Sequence, residues 1–150
     1  VYVVQGARLA VGEEPIAVTA QQFTARPEIY KNGLDETTLA QLIFPGGARA
    51  AIQTSFGMNM NYLDVVGNKG TLRMEPYSAY NGQKGYWSNG GKIEHPYEVP
   101  SQQAMQMDDD AAAIMSKKPM MVPGEEGLRD IKVVEAIYQA ARSGKEVKIS

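Results

Sequence analysis

The hydrophobic period changes along this chain, and that change limits the fold more than any other feature. Between residues 16 and 74 apolar side chains recur at every second position, which is typical of half-buried strands. From residue 104 onward they recur every three or four positions, which is typical of helices. Strands first and helices last predict an α+β, two-layer domain: a mainly antiparallel, open-faced β-sheet with helices packed on one face.

Two glycine-rich turns divide the strand region. Apolar positions alternate over residues 38–44, stop at Pro45-Gly46-Gly47, and alternate again over 50–56, which predicts a hairpin. A second hairpin is predicted around residues 67–70. Residues 77–97 mix glycines with aromatic side chains, and we interpret them as short strands and turns.

The first eleven residues read as the back half of a helix. Val4, Ala7 and Val11 recur at near-helical spacing, and Gly12 supplies a stop signal. A cap residue and an acidic first turn are absent before them, so we expect the chain to be a fragment whose first helix begins upstream of Val1.

Two further helices are predicted near the C-terminus. The first covers residues 104–114 and stops at 117–119, where two lysines precede a proline. The second begins near residues 123–126, with acids in its first turn, and stops at Gly144. Residues 147–149 are predicted to form a closing strand.

Composition narrows the class of protein. A chain of 150 residues with 43% hydrophobic and 21% charged residues suits one globular domain, and no apolar run approaches the ~20 residues of a membrane span. A formal net charge of -2, with scattered cations, argues against nucleic acid as a partner. The absence of cysteine excludes disulfides and thiolate chemistry, and leaves localisation open between cytoplasm and periplasm.

Several motifs with possible chemistry have simpler structural explanations. The glycines lack the Gly-x-Gly-x-x-Gly spacing of a dinucleotide site and are interpreted as turn formers. His95 has no second histidine beside it, which favours a loop residue over a zinc ligand or a catalytic group. Asp108, Asp109 and Asp110 point in three directions on a helix, which favours a solvated face over a metal site.

A short polar series lies on the otherwise apolar first helix. Tyr2, Gln5 and Arg8 are spaced by three residues, so each pair of neighbours adjoins on the helix surface. Such a row lines a cleft in some proteins and is only a solvated helical face in others. The spacing alone leaves both alternatives open.

Three sequence blocks, in order along nearly the whole chain, resemble the Gfo/Idh/MocA oxidoreductases, and within them the glucose-fructose oxidoreductase group. They are Tyr2-x-x-Gln5-Gly6-x-Arg8-x-x-x-Gly12-Glu13-Glu14-Pro15, then Val66-Gly67-x-x-Gly70-Thr71-Leu72, and finally Pro123-Gly124-Glu125-Glu126-Gly127-Leu128-x-Asp130 running into Glu135-Ala136-Ile137-Tyr138-x-Ala140-Ala141-Arg142-x-Gly144. The resemblance implies that residues 1–150 are a C-terminal substrate-binding and oligomerisation domain, without the N-terminal Rossmann domain of the family.

The resemblance also implies the chemistry. Family members act on sugars or polyols by hydride transfer to NAD or NADP, which the missing domain mainly binds, so no cofactor is expected in this chain. A Lys of that domain works beside an Asp-x-x-x-His or Asp-x-x-x-Tyr motif, and Tyr2 matches its last position, as the catalytic residue. Gln5, where relatives carry Asn, and Arg8 are expected to bind substrate. The isolated chain is expected to be inactive.

The resemblance further implies the partners: a sugar-like substrate, the protein's own Rossmann domain, and a second copy bound through the open sheet face. Asp110 departs from the family, whose members carry an apolar residue there. Two alternatives stay open. One is a non-catalytic carbohydrate-binding or protein-interaction module that uses Tyr77, Tyr80, Tyr86 and Trp87. The other is a degenerate family member kept as a scaffold.

Overall fold

The computed structural model describes residues 1–80, 82–88 and 101–150, together with the backbone of residues 92–94. In chain order the elements are α1 (Tyr2–Val11), β1 (Ala17–Phe23), β2 (Thr37–Ile43), β3 (Arg49–Ser55), β4 (Leu63–Gly67), β5 (Gly70–Met74), β6 (Lys84–Trp87), β7 (Lys92–Glu94), α2 (Gln102–Ser116), α3 (Gly124–Ser143) and β8 (Val147–Lys148).

The chain divides into two compact units. The first unit comprises Val1–Met60 and Gly127–Ser150, and the second comprises Asn61–Glu126. Each holds a four-stranded sheet, in the order β3-β2-β1-β8 in the first unit and β4-β5-β6-β7 in the second. The strand pairings given for both sheets are antiparallel. The predicted α+β class, with antiparallel strands and helices on one face, is confirmed.

The core of the first unit lies between one face of its sheet and helices α1 and α3. Val18 on β1 pairs with Leu42 on β2, and both side chains are fully buried. Because side chains alternate along a strand, this register turns one apolar row of each strand toward the helices. The buried cluster consists of Val4, Ala7, Val18, Ala40, Leu42, Phe44, Val133, Ala136, Ile137 and Ala140.

The opposite face of this sheet carries the alternate residues of each strand. Gln41 on β2 and Gln21 on β1 are exposed there, and Phe23 at the end of β1 is half exposed. This face therefore mixes amides with apolar side chains.

Both helices of the first unit end at the predicted glycines. Gly12 has a φ of 74°, and its N–H donates to the carbonyl of Arg8 at 2.8 Å. Gly144 has a φ of 65° and donates in the same way to Ala140. This left-handed conformation is strained for residues with a Cβ, which explains why glycine closes each helix.

The second unit contains the predicted second hairpin, in which β4 and β5 pair from Leu63 with Met74 to Gly67 with Gly70. Its helix α2 is capped at its N-terminus by Ser101, whose hydroxyl accepts a hydrogen bond from the N–H of Ala104. No residue of α2 is buried.

Candidate functional site

Helix α1 presents two of the residues for which the sequence predicts chemistry. Tyr2 is the first residue of the helix and is 69% exposed, and Gln5 on the next turn is half-buried. Leu9, which is 73% exposed, lies a further turn along the same side, because spacings of three and four residues return to one helix face. Tyr2 and Gln5 are therefore neighbours on one accessible face of α1.

Arg8 does not share that accessible face, since its side chain is only 5% exposed. Its Nε and Nη2 donate to the two carboxylate oxygens of Glu14, each at 2.7 Å. Its Nη1 donates to Oδ1 of Asp130 at 2.6 Å, and the Asp130 side chain is 4% exposed. Arg8, Glu14 and Asp130 form what we call the Arg8 cluster. It joins α1 to α3 and to the segment that follows α1.

The cations around Glu14 change the pKa of its carboxyl group. Hydrogen bonds from the Arg8 guanidinium hold the pKa of Glu14 below its ordinary value of 4.5, although partial burial acts in the opposite direction. The positive charges of Arg8 and Arg129 lower this pKa further, and Arg129 Nη1 lies 3.8 Å from Glu14 Oε1. Glu14 is therefore held in its ionised form by its partners.

Sequence reasoning gave no role to Glu14 or Asp130, although both lie within the blocks that carry the family resemblance. A usable signal existed for Asp130, because it precedes Val133 by three residues and Ile137 by seven, and so lies on the buried face of α3. A carboxylate at such a position needs a cation beside it. The identity of that cation was not visible, since Arg8 is 122 residues away in sequence.

A second buried acid, Glu36, lies where the β1–β2 loop (residues 24–36) meets β2. Its carboxylate accepts hydrogen bonds from the backbone N–H groups of Ala25 and Arg26 at 2.9 Å, and from Arg26 Nε at 2.7 Å. The Arg26 hydrogen bond is the main reason that the pKa of Glu36 is lowered. The Arg26 guanidinium also lies 5.4 Å from the centre of the Tyr30 ring. These contacts fix the loop, and we interpret Glu36 as structural.

A family comparison covers almost the whole chain. The model of the oxidoreductase family, C-terminal alpha/beta domain, matches residues 1–149. The chain belongs to the Gfo/Idh/MocA oxidoreductase family. The predicted resemblance is thereby confirmed, and the chain is a C-terminal domain of this enzyme family.

Three relatives show the range of the family. D-xylose 1-dehydrogenase [NADP(+)] from Haloarcula marismortui is 24% identical over 152 residues, which cover 99% of this chain and 42% of the relative. A crystal structure of aldose-aldose oxidoreductase from Caulobacter crescentus, complexed with glycerol, is 34% identical with a TM-score of 0.88, covering 98% of this chain and 45% of that one. The WlbA dehydrogenase from Bordetella pertussis, in complex with NADH and UDP-GlcNAcA, is 22% identical with a TM-score of 0.64, covering 91% and 39%.

The chain spans less than half the length of these relatives. The relatives include sugar oxidoreductases and dehydrogenases; the name of the first specifies NADP(+), and the structure of the third contains NADH. These findings support the predicted enzyme class for the Gfo/Idh/MocA domain described here.

The structure gives little support to the other candidate sites of this Gfo/Idh/MocA domain. Within the described side chains, no group of three or more His, Cys, Asp or Glu is arranged to hold a metal ion. Asp108 and Asp109 are exposed on α2, in line with a solvated helix face, whereas Asp110 is half-buried. His95 lies outside the described residues. In the same described part of the chain, no helix has the length and apolar character needed to cross a membrane.

The aromatic residues of the binding-module alternative do not all share one surface. Tyr86 and Trp87 are consecutive on β6, so their side chains point to opposite faces of the sheet. Tyr86 pairs with Arg73, whereas Trp87 pairs with Leu72. Tyr77 is partly buried, and this burial raises the pKa of its hydroxyl. The four aromatics therefore do not form a single continuous platform for a carbohydrate.

Proposed function

We propose that this chain is the substrate-binding and oligomerisation domain of an NAD(P)-dependent oxidoreductase that acts on a sugar or polyol by hydride transfer. The observation that supports this most directly is the geometry of α1. Its accessible face carries Tyr2 and Gln5 side by side, while its other side is anchored by the Arg8 cluster and the core. A rigid helix that presents a phenol and an amide suits the recognition and oxidation of a hydroxyl-rich substrate.

In this reaction a substrate alcohol becomes a carbonyl. A nicotinamide held mainly by the other domain would supply the acceptor for the hydride of the substrate C–H bond, and the O–H proton would pass to a base. The Tyr2 hydroxyl stabilises or relays that proton. Gln5 binds a neighbouring hydroxyl, because its amide donates one hydrogen bond and accepts another. Arg8, expected from the resemblance to bind substrate, is buried.

Tyr2 needs help from outside this chain. A free tyrosine has a pKa of about 10, so a neighbouring cation is required for it to handle a proton at neutral pH. The Lys that the family resemblance assigns to the preceding domain would be that cation. We therefore expect the isolated chain to lack activity.

The described residues do not fit a dinucleotide cofactor by themselves. Dinucleotides bind at a crossover between parallel strands, with a glycine-rich turn at a helix N-terminus. The described sheets pair in antiparallel fashion instead. We accordingly assign the cofactor mainly to an N-terminal Rossmann domain and the substrate pocket to the face of α1.

The catalytic assignment is tested with Tyr2→Phe in the full-length protein, assayed against a panel of sugars and polyols with NAD and NADP. Loss of the hydroxyl is expected to lower kcat by about 100-fold, which is a typical contribution of acid–base catalysis. Tyr80→Phe is a matched control, because Tyr80 is exposed to a similar degree, 64% against 69%. A Tyr2→Phe enzyme with wild-type kcat would remove Tyr2 from the mechanism.

The oligomerisation role rests on the uncovered face of the first sheet. Helices cover one side of that sheet, and the other side leaves Gln21, Gln41 and Phe23 accessible. A second copy is expected to cover this face in the assembled enzyme. Its mixed surface suits an interface that contains hydrogen bonds as well as apolar contacts.

Sedimentation of Gln41→Glu tests the interface, because the substitution places a negative charge on the exposed sheet face that a second copy is proposed to cover, and both copies carry it. We expect the wild-type protein to associate and the variant to dissociate. Gln139→Glu makes the same chemical change at an exposed position on α3 and is expected to leave association intact. A wild-type protein that stays monomeric at high concentration would contradict the proposal.

A further inference from the structure

Arg8 occupies an unusual position for a residue of a substrate-facing helix. It lies on α1 with Tyr2 and Gln5, yet its side chain is 5% exposed and its guanidinium contacts two carboxylates. Hydrogen bonds of 2.6 to 2.7 Å join Arg8 to Glu14 and Asp130, within the short range of charge-assisted contacts. These contacts direct the guanidinium toward the protein interior and away from the accessible face of α1.

The two carboxylates come from different parts of the chain. Asp130 is on α3, whose Val133 and Ile137 lie in the core of the first unit, so the position of Asp130 is determined by that core. Glu14 follows Gly12, the residue that closes α1. Arg8 therefore connects α1 at once to the helix behind it and to the segment that leaves it.

These hydrogen bonds provide a restraint that apolar packing does not. Val4 and Ala7 hold α1 against the core, but apolar contacts have little directional preference. A planar guanidinium that donates through two nitrogens to one carboxylate, and through a third to another, has strict angular requirements. The cluster therefore limits rotation of α1 about its axis and sliding of α1 along that axis.

We infer that Arg8 is a positioning residue: through Asp130 and Glu14 it sets the rotation of α1, and thereby the placement of the Tyr2 hydroxyl and the Gln5 amide toward the substrate. This inference rests on the proposed function of Tyr2. It assigns Arg8 no contact with the substrate. Because a displacement of about 1 Å can lower a rate as much as 100-fold, a helix that carries a catalytic group gains from such a restraint.

The first test is Arg8→Lys in the full-length protein. Lysine keeps the charge but cannot reproduce the planar fork, so the contact with Glu14 is lost or weakened. We expect kcat to fall about tenfold or more while KM stays within about twofold. Arg73→Lys is the matched control, since Arg73 also pairs with two carboxylates, Asp64 and Glu75, but lies in the second unit. It is expected to leave both parameters unchanged.

A double substitution separates positioning from stability. Replacing a buried ion pair by apolar residues of similar volume often preserves folding, so Arg8→Met combined with Asp130→Leu is expected to keep a melting temperature near that of the wild type. If the cluster positions α1, kcat of this variant stays low despite the recovered stability. Recovery of wild-type kcat would show that the cluster only stabilises the fold. An increase in KM with normal kcat would instead make Arg8 a substrate ligand, and would overturn the inference.

Hydrogen exchange in the same full-length proteins keeps the inference distinct from the proposed function. Absence of wild-type activity with every sugar and both cofactors would count against the proposed function alone. The exchange rates of the α1 amides still test whether Arg8 restrains the helix. Faster exchange of these amides in Arg8→Lys than in Arg73→Lys supports such a restraint. Equal exchange in the two variants would contradict it.

Discussion

The two units of this domain differ in how much apolar surface they bury. In the first unit Val18 and Leu42 are fully enclosed by helices α1 and α3, and the buried cluster is continuous. In the second unit Gly85 is the only buried residue among residues 61–80, 82–88 and 101–126, whose burial is described. The first unit therefore has a closed core of its own, whereas the described side chains of the second unit form no comparable core.

Helix α2 illustrates the low burial of apolar side chains in the second unit. Its sequence predicts an apolar stripe, yet Met107 is 70% exposed and Ile114 is 64% exposed. Since burial of apolar side chains is the main favourable contribution to folding, this stripe adds little to the stability of the chain as it stands. The first unit therefore supplies the rigid base for α1.

Matched leucine truncations give the largest expected contrast between the units. Leu42→Ala removes a fully buried side chain and is expected to lower the free energy of unfolding by about 3 kcal/mol, through lost burial and a new cavity. Leu72→Ala removes a half-buried side chain from β5 and is expected to cost about 1 kcal/mol or less. Urea denaturation followed by circular dichroism measures both losses. Equal losses would mean that the second unit is packed as tightly as the first.

The single tryptophan offers a second, smaller contrast. Trp87 lies on β6, so its fluorescence reports on the second unit, whereas far-ultraviolet circular dichroism reports on the whole chain. We expect the fluorescence transition at lower urea than the circular dichroism transition, because regions with few buried contacts open first. Coincident transitions would show that the two units unfold together, and would contradict independent stability of the first unit.

Local patterns explain which parts of the fold could be predicted. The turns at Gly46 and Gly67, and the helix stops at Gly12 and Gly144, depend on neighbouring residues, so the sequence predicted these hairpins and helix ends. The joint placement of Tyr2 and Gln5 followed from helical spacing alone. Their chemical roles remain predictions, since they came from the resemblance.

Contacts distant in sequence explain what could not be predicted. Arg8 was grouped with Tyr2 and Gln5 because spacing places it nearby, but its environment is determined by Asp130, which only the folded chain brings close. The division into two four-stranded sheets is likewise non-local, because alternation within a strand does not state which strands pair. The hydrophobic period and the turn residues thus specify the helices and strands, whereas tertiary packing determines which of them contact each other.

Lowering the pH is expected to give the smallest effect on the difference in stability between the two units. The pKa values of Glu14 and Glu36, both in the first unit, are lowered chiefly by hydrogen bonds from Arg8 and Arg26. A carboxyl whose folded-state pKa lies below its unfolded value of 4.5 contributes stability that is complete above that pH, and that is lost as the pH falls through the folded-state value. Stability of the first unit should therefore decrease below about pH 4.5, narrowing the gap between the fluorescence and circular dichroism transitions.

Glu14→Gln is expected to reduce this pH dependence by only a few tenths of a kcal/mol, because Glu14 is 53% exposed and solvent screens its charge. A gap that widens in acid would place the pH-sensitive stability in the second unit instead.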